Sequence, residues 1–416
     1  MDVILLSIGT EILKGRIVNT NSHYMASRLY AAGFNVSEIR VVSDRQSQII
    51  DTLKECFDRA DIVISTGGLG PTRDDVTKSA ACRFFNRQLV FDRKIYDRLE
   101  KLFLRIGYQS FPQRSRNQAL VPEGAHVMPN PRGTAPGLLI EEGGKLLFLL
   151  PGVPTEMKAL FDDHVLPFLL GRFRQSEPES ALVRTVGLGE STIAERIEEG
   201  LSQEEISLLN YYPHGGFVDI VIAETGVGGK LDQGTVDRVA GHVAGAVSDY
   251  VYSRDERSLL QVIAGMLTAC GKTLAVAESC TGGLLAKKIT DLPGSSDWFA
   301  AGVVSYSNDS KTALLGVPEA LIASHGAVSE EVAESMAQGV RKNCNADYAL
   351  AITGIAGPTG GNKEKPVGTV YIASAFGESP QASRFNFYGD REQIRHRSVV
   401  KACEILWRRL KEKHGD

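Results

Sequence analysis

Along the chain, short uninterrupted apolar runs that end near glycine alternate with longer stretches in which apolar residues recur every three or four positions. "VILLSI" (3–8) ends at Gly9, and "NSHYMASRLYAAG" (21–33) follows with helical spacing and a terminal glycine. A six-residue apolar run bounded by turn signals reads as a strand buried on both faces, because a helix needs a longer stretch to bury itself. "VSEIRVVS", "SQIIDTLKECFDRA" and "DIVIST" continue the alternation. It runs on through "KLLFLL" (145–150) and the helix-like "PTEMKALFDDHVLPFLL" to residue 170. Strands alternating with helices predict a parallel sheet with helices on both faces.

The pattern breaks at "GRFRQSEPES" (171–180), a polar linker. The strand-like "ALVRTVGL" and "FVDIVIAET" then alternate with helix-like "STIAERIEEGL" and "LDQGTVDRVAGHVAGAVSDY" up to residue 253. After the charged hinge "SRDERS" (253–258) a second α/β alternation begins. It has helices at 259–270 and 281–290, strands at 273–277 and 300–306, helices within 309–341, strands at 347–352 and 368–375, and a last helix from 391. The fold class expected is therefore α/β: two three-layer α/β domains, 1–170 and 254–416, joined by a small α+β module, 171–253. The length of 416 residues agrees, since single cores stop growing at roughly 250–300.

Composition narrows the function classes. Hydrophobic content of 43% and charged content of 23% are those of an ordinary soluble protein, and a net charge of -4 offers no basic footprint for nucleic acid. The six cysteines, at 56, 82, 270, 280, 344 and 403, form no CxxC and have no histidine at metal spacing, so reduced thiols are expected. "MDVILLSIGTEIL" lacks a basic leader region, and its apolar run is too short for a signal sequence or a membrane span. A cytoplasmic enzyme without membrane contact is the expectation.

Candidate chemistry falls where strands end. In "AESCTGG" (277–283) Ser279 follows an apolar run and precedes a helix, so it is either a helix cap or a nucleophile with backbone N–H donors at Thr281, Gly282 and Gly283 beyond it. Cys280 has no cationic neighbour in sequence to make it a thiolate. No histidine lies near, but "SYSNDSK" (305–311) offers Tyr306 and Lys311, and a dehydrated lysine can act as a base. "TGIAGPTGG" (353–361) is a glycine-rich loop whose Thr353, Gly354 and Gly357 can face an anion, although it lacks the GK[ST] of a P-loop. Arg391 and Arg395 stand four apart on one helix face and can clamp a phosphate.

Taken in order, "AESCTGG", "DLPGSSDWFAAGVVSYSNDSK", "GVPEALIASHGAVS", "TGIAGPTGG", "KPVGTVYIA" and "GDREQIR" resemble the C-terminal domain of the CinA (competence/damage-inducible protein A) family over residues 255–413. The resemblance implies an amidohydrolase that converts nicotinamide mononucleotide (NMN) to nicotinate mononucleotide and ammonia without a cofactor. It also implies Ser279, Tyr306 and Lys311 as the catalytic set.

In the first domain "GTEILKGRIVNTNS" (9–22), "STGGLGPTRDDVT" (65–77), "RGTAPG" (132–137) and "LPGVPTEM" (150–157) are glycine-rich or acidic loops. The first two each follow a strand, at the sheet edge where open α/β folds bind ligands. Each can equally be an ordinary turn or an acidic helix start. Gly67, Gly68 and Gly70 can wrap a phosphate, with Asp74 and Asp75 holding a hard cation. These loops resemble the molybdopterin-binding-like domain of the same family, which implies metal-dependent hydrolysis of ADP-ribose to AMP and ribose 5-phosphate. The resemblance carries Glu11 and Glu156 into the metal or water-positioning group, and Lys14, Asn19, Gly133 and Thr134 into the diphosphate contacts. It implies a divalent metal ion, with a monovalent cation as an optional companion, and a homodimer. One departure is "VVSD" (41–44) where "VGD" is expected, which changes the setting of Asp44.

The middle module resembles the family's KH-like segment. Its "GLGE" lacks the second glycine of a GXXG loop, and no basic and aromatic interleaving accompanies it, so a spacer or dimerisation role is expected rather than RNA binding. A different class of function stays open: a first domain that binds a pterin or nucleotide without hydrolysing it, in an accessory protein of competence or DNA damage.

Overall fold

The computed structural model of the chain describes residues 2–72, 74–107, 113–173, 180–223, 232–377 and 379–414. They form two compact units, Met1–Pro178 and Glu179–Asp416.

In the first unit six strands lie in the order Asn35–Val42, Asp2–Ile8, Ile62–Thr66, Lys145–Leu150, Gly137–Glu142, His126–Met128. The first four are parallel. Their continuous apolar runs are explained by burial on both faces, since successive residues point to opposite sides. Ile4, Leu6, Val63 and Leu147 pack against helix Gln46–Phe57 through Ile49 and Leu53. Val3, Leu5, Ile64 and Phe148 pack against Met25, Leu29 and Phe161 on the other face. The last two strands are antiparallel, unlike the all-parallel expectation. Gly143 and Gly144, at φ 58° and 84°, reverse the chain between Glu142 and Lys145, whereas a parallel step would need a crossover of a dozen residues.

The helix-like segment from 154 contains a π-helical turn, Phe161–Val165, between Pro154–Leu160 and Leu166–Arg172. Pro167 can neither donate an N–H nor tolerate a close carbonyl four residues back, and the wider turn before it accommodates both. Of the linker expected at 171–180, Gly171 and Arg172 close this helix, and residues 174–179 lie outside the described residues.

The second unit holds two sheets. The smaller is antiparallel, in the order Leu209–His214, Phe217–Ala223, Ser180–Val186, Val251–Ser253. Helices Glu190–Glu198 and Gln233–Ala246 cover one face through Ile193, Ile197, Val236 and Val243. The larger runs Phe299–Val304, Leu274–Glu278, Tyr348–Gly354, Thr369–Ala375, Gln381–Asn386. Its first three strands are parallel and its last two antiparallel. Helices Leu259–Ala269, Leu284–Thr290 and Arg391–His414 pack on one face. Asn308–Leu315, Glu319–His325 and Glu330–Asn343 pack on the other, completing three layers. Val186, Phe217 and Tyr252 of the small sheet belong to the same core as Ile394 and Trp407, so the two sheets of this unit share an interior. Among the described residues no helix is long and apolar enough to cross a membrane.

Two helical glycines separate propensity from packing. At Gly265 a Cβ would meet nothing within 4 Å, and at Gly339 it would stand 1.9 Å from the backbone oxygen of Leu315. Alanine gains about 1 kcal/mol over glycine inside a helix, but a clash with a fixed carbonyl costs about 1–3 kcal/mol. Denaturant unfolding should therefore show Gly265→Ala more stable by about 0.5–1 kcal/mol and Gly339→Ala less stable despite the same propensity gain.

Candidate active sites

Strand Leu274–Glu278 carries its register one residue further, with Ser279 N–H donating to Ile352 O at 2.9 Å. The chain then turns sharply through Gly282 and Gly283, at φ 60° and 88°, into helix Leu284–Thr290. The cap of that helix is Glu278 rather than Ser279. Its carboxylate, 1% exposed, accepts N–H bonds from Gly283 at 3.1 Å, Leu285 at 3.1 Å and Ala286 at 2.8 Å. Glu278 escapes sequence reading because it stands at the end of an apolar run, where a strand residue is expected.

Ser279 is thereby left to another partner. Its Oγ lies 3.0 Å from Lys311 Nζ, which also donates to Ser305 O at 2.8 Å. Lys311 is 1% exposed and Ser279 8%. Burial holds the Lys311 pKa below the usual lysine value. Helix Asn308–Leu315 delivers the lysine, its start fixed by a reciprocal cap between Ser307 and Ser310. Burial pushes the Cys280 thiol up to about 12, so it stays protonated in the apolar core.

The donors expected beyond the serine are partly taken. Gly282 N–H donates to Ser279 O and Gly283 N–H to Glu278. The N–H groups of Cys280 and Thr281 meet no oxygen acceptor among the described residues. The buried hydroxyls of Thr281 and Ser305 likewise lack a partner.

Tyr306 is 61% exposed, and its hydroxyl accepts from Arg391 at 3.0 Å instead of joining the Ser279–Lys311 pair. Arg391 also donates to Gly357 O at 2.7 Å, and Arg395 donates through Nε to Thr281 O at 3.1 Å. The two arginines thus tie three site loops to one helix. Thr353 is buried with its hydroxyl on Ala327 O, and Gly354 ends a strand where a Cβ would strike Val370 and Thr369 O.

The first unit contains a cleft of about 940 Å³ lined by Glu11, Lys14, Asn19, Gly67, Gly68, Gly70, Asp74, Asp75, Thr134 and Glu156, all anticipated from sequence. Gly133 stands behind it, where a Cβ would lie 2.0 Å from the Glu156 carboxylate. Gly67 and Gly68 pack with φ of 108° and 67°, and their Cβ atoms would strike Ile8 O and Thr77 Oγ1 at 2.1 Å. The N–H groups of Gly68, Leu69 and Gly70 meet no acceptor among the described residues, which leaves three successive donors in the cleft wall.

Other anticipated groups are already engaged. Asn19 caps helix Thr20–Ala31 through Ser22, Asp75 accepts from Thr72 N at 2.7 Å, Thr134 accepts from Gln118, and Glu156 accepts from Asn130 at 2.6 Å. Despite the altered "VVSD", Asp44 reaches the first loop and accepts from Thr10 N at 2.8 Å. Sequence reading missed Asn21 and Gln118, which line the cleft and whose buried side-chain oxygens have no partner among the described residues. Among the described residues no three His, Cys, Asp or Glu side chains cluster tightly enough to enclose a metal ion.

Comparison with known proteins follows this division. Residues 256–410 match the family model described as "CinA C-terminal domain", and residues 4–171 match the "probable molybdopterin binding domain". A CinA-like protein of Geotalea uraniireducens is 39% identical over 424 aligned positions, covering 99% of this chain and 98% of its own. The CinA-like protein of Kosmotoga olearia is 37% identical over 407, with 98% of each chain covered. A solved structure of a CinA superfamily protein from Klebsiella pneumoniae aligns with 36% identity over 37% of this chain and 96% of that one, at a TM-score of 0.36. With relatives this similar along nearly the whole of both chains, the protein belongs to the CinA family.

Proposed function

We propose that the second unit is a serine amidohydrolase acting on NMN, and that the Ser279 Oγ to Lys311 Nζ contact of 3.0 Å in a buried setting is the observation that carries this reading. Neutral Lys311, with one N–H held by Ser305 O, accepts the Ser279 proton as Oγ attacks the carboxamide carbon. The C–O bond forms, the amide nitrogen takes the proton from Lys311, and the C–N bond breaks to release ammonia. Water then attacks the acyl ester, giving its proton to Lys311, and Ser279 is restored with nicotinate mononucleotide as product. The N–H groups of Cys280 and Thr281, which meet no oxygen acceptor among the described residues, would serve the oxyanion. Tyr306, exposed and joined to Arg391, would meet the substrate at the rim of the site.

We propose for the first unit the hydrolysis of ADP-ribose to AMP and ribose 5-phosphate. The diphosphate would lie on the N–H groups of Gly68, Leu69 and Gly70, with Lys14 across the cleft. Glu11, Asp74, Asp75 and Glu156 line the same cleft as hard donors without enclosing an ion by themselves, so a divalent cation would be held there by one or two of them. Such a cation would supply charge to the scissile diphosphate. Glu156, held by Asn130, would orient the attacking water.

Purified protein should release ammonia from NMN without added metal. Ser279→Ala should lose on the order of a thousandfold or more in kcat, while Cys280→Ala stays near wild type; an active serine variant would overturn the assignment. Lys311→Met should be equally inactive but no less stable at pH 7. The sign follows from the lowered folded pKa: the unfolded chain binds the extra proton, so wild-type stability rises with pH between the folded value and about 10.5, the unfolded lysine value. Thermal melts should therefore show the variant's advantage shrinking from pH 7 to pH 10. Gly133→Ala, by displacing the Glu156 carboxylate, should cut ADP-ribose hydrolysis by about tenfold or more and leave ammonia release unchanged, as paired assays of the two activities would show.

A further inference from the structure

Polar groups that folding buries are nearly always paired, so those left over call for a reason. Two of the buried side-chain atoms without a partner among the described residues, Thr281 Oγ1 and Ser305 Oγ, flank the Ser279–Lys311 pair. Thr281 stands two residues after the serine, and the Ser305 carbonyl holds Lys311 Nζ at 2.8 Å. Both residues are 0% exposed. A hydroxyl shut off from solvent cannot meet a ligand in the open part of the site, so its partner has to be another buried group.

Lys311 is such a group. Its Nζ has two recorded partners, Ser279 Oγ and Ser305 O. A neutral amine that receives the Ser279 proton at its lone pair carries two N–H groups before the transfer and three after it. Ser305 O takes one and Ser279 Oγ faces the transferred one, which leaves one N–H over in both states. Beside a neutral amine the missing bond is a weak one. Once the amine is an ammonium the missing bond is charge-assisted, and roughly twice as strong.

The charged and titratable groups around Lys311 are engaged elsewhere. Cys280 is the group whose charge would act on the amine, and burial keeps its thiol protonated. Glu278 accepts three N–H groups of the next helix, Arg395 donates to Thr281 O, and Tyr306 is exposed and bonded to Arg391. Asp309, on the lysine's own helix, is exposed. The helices packed on that side of the sheet bury apolar residues there, Ile322 from Glu319–His325 and Met336 and Val340 from Glu330–Asn343. Of the two spare hydroxyls, Ser305 is the better placed. Its own carbonyl already touches Nζ, and a serine changes χ1 rotamer freely, whereas threonine is stiff at χ1 and Thr281 sits in a turn clamped by Arg395.

We propose that Ser305 is a positioning residue of the serine centre: when Lys311 gains the proton, the Ser305 hydroxyl turns to accept its remaining N–H and holds the ammonium for return of that proton to the amide nitrogen. Ser305 then grips the lysine through its carbonyl in either charge state and through its hydroxyl when the lysine is charged. The role in turnover rests on the amidohydrolase reading; the hydrogen bond to the ammonium does not.

The test is an NMR titration of the Lys311 side chain in the full chain and in its Ser305→Ala and Thr281→Val variants. A bond made to the ammonium alone favours the charged form, so its loss lowers the lysine pKa further. Ser305→Ala should bring the Lys311 midpoint down by about one pH unit, as expected for a hydrogen bond to a charged group, and Thr281→Val should leave it within about 0.3 units. Because the hydroxyl is unpaired beside the neutral amine, Ser305→Ala should melt no earlier than wild type above the Lys311 midpoint. In turnover of NMN the acid limb of the kcat/KM profile should move down by the same interval as the NMR midpoint. An unmoved or raised midpoint in Ser305→Ala would overturn the proposal, as would a shift confined to Thr281→Val or a loss of kcat with the acid limb in place. If the wild type releases no ammonia from NMN, the amidohydrolase reading fails by itself, and the NMR midpoints still decide whether Ser305 holds the ammonium.

Discussion

An ammonium withdrawn from water needs a counter-charge or must give up its proton, because desolvation costs several kcal/mol that neutral dipoles recover only in part. Lys311 is 1% exposed, and its recorded partners, Ser279 Oγ and Ser305 O, are both uncharged. The helix that carries it packs its other buried residue, Leu315, into the apolar layer beneath the sheet, which holds the amine in place. That one constraint lowers the lysine's pKa, and on the proposed reading it is what lets Lys311 take the proton of Ser279. It also sets the limits of the neighbouring Cys280, whose thiol is buried in the core and stays protonated.

Around this pair the structure spends its other polar groups on fixing backbone. Glu278 takes three N–H groups of the following helix and so sets the course of the turn that presents Ser279. A carboxylate at a helix N-terminus is favoured by both the hydrogen bonds and the dipole, and here it is buried, which makes the turn rigid. Arg391 and Arg395 act from the other side, joining the loops at 281, 306 and 357 to a 24-residue helix. Loops at the ends of three neighbouring strands are thereby held as one surface.

Much of this was legible in the sequence. Buried parallel strands announce themselves as unbroken apolar runs, and the strands at 3–8, 61–66 and 145–150 begin and end within a residue of where those runs do. What escaped is what lacks that signature. Leu209–His214 and Gln381–Asn386 are edge strands with exposed positions, and their polar residues hide the pattern. Serine and lysine were visible as residue types after strands, but their adjacency across 32 positions is a product of the sheet. Tyr306 joined the same group through the resemblance, and in the structure its exposed side chain accepts a hydrogen bond from Arg391. Glu278, Asn21 and Gln118 carried no local signal at all, because their settings arise from what tertiary packing leaves beside them.

The proposed reaction requires Lys311 to be neutral when it receives the Ser279 proton. That requirement is tested most directly by an NMR titration of the lysine side chains in 15N-labelled protein, with the Lys311 resonance assigned by its loss in Lys311→Met. The expected result is a lysine that titrates below the ordinary value of about 10.5 and is perturbed by Ser279→Ala. A Lys311 that remains charged up to or beyond that value would contradict it, and would leave Ser279 without a base.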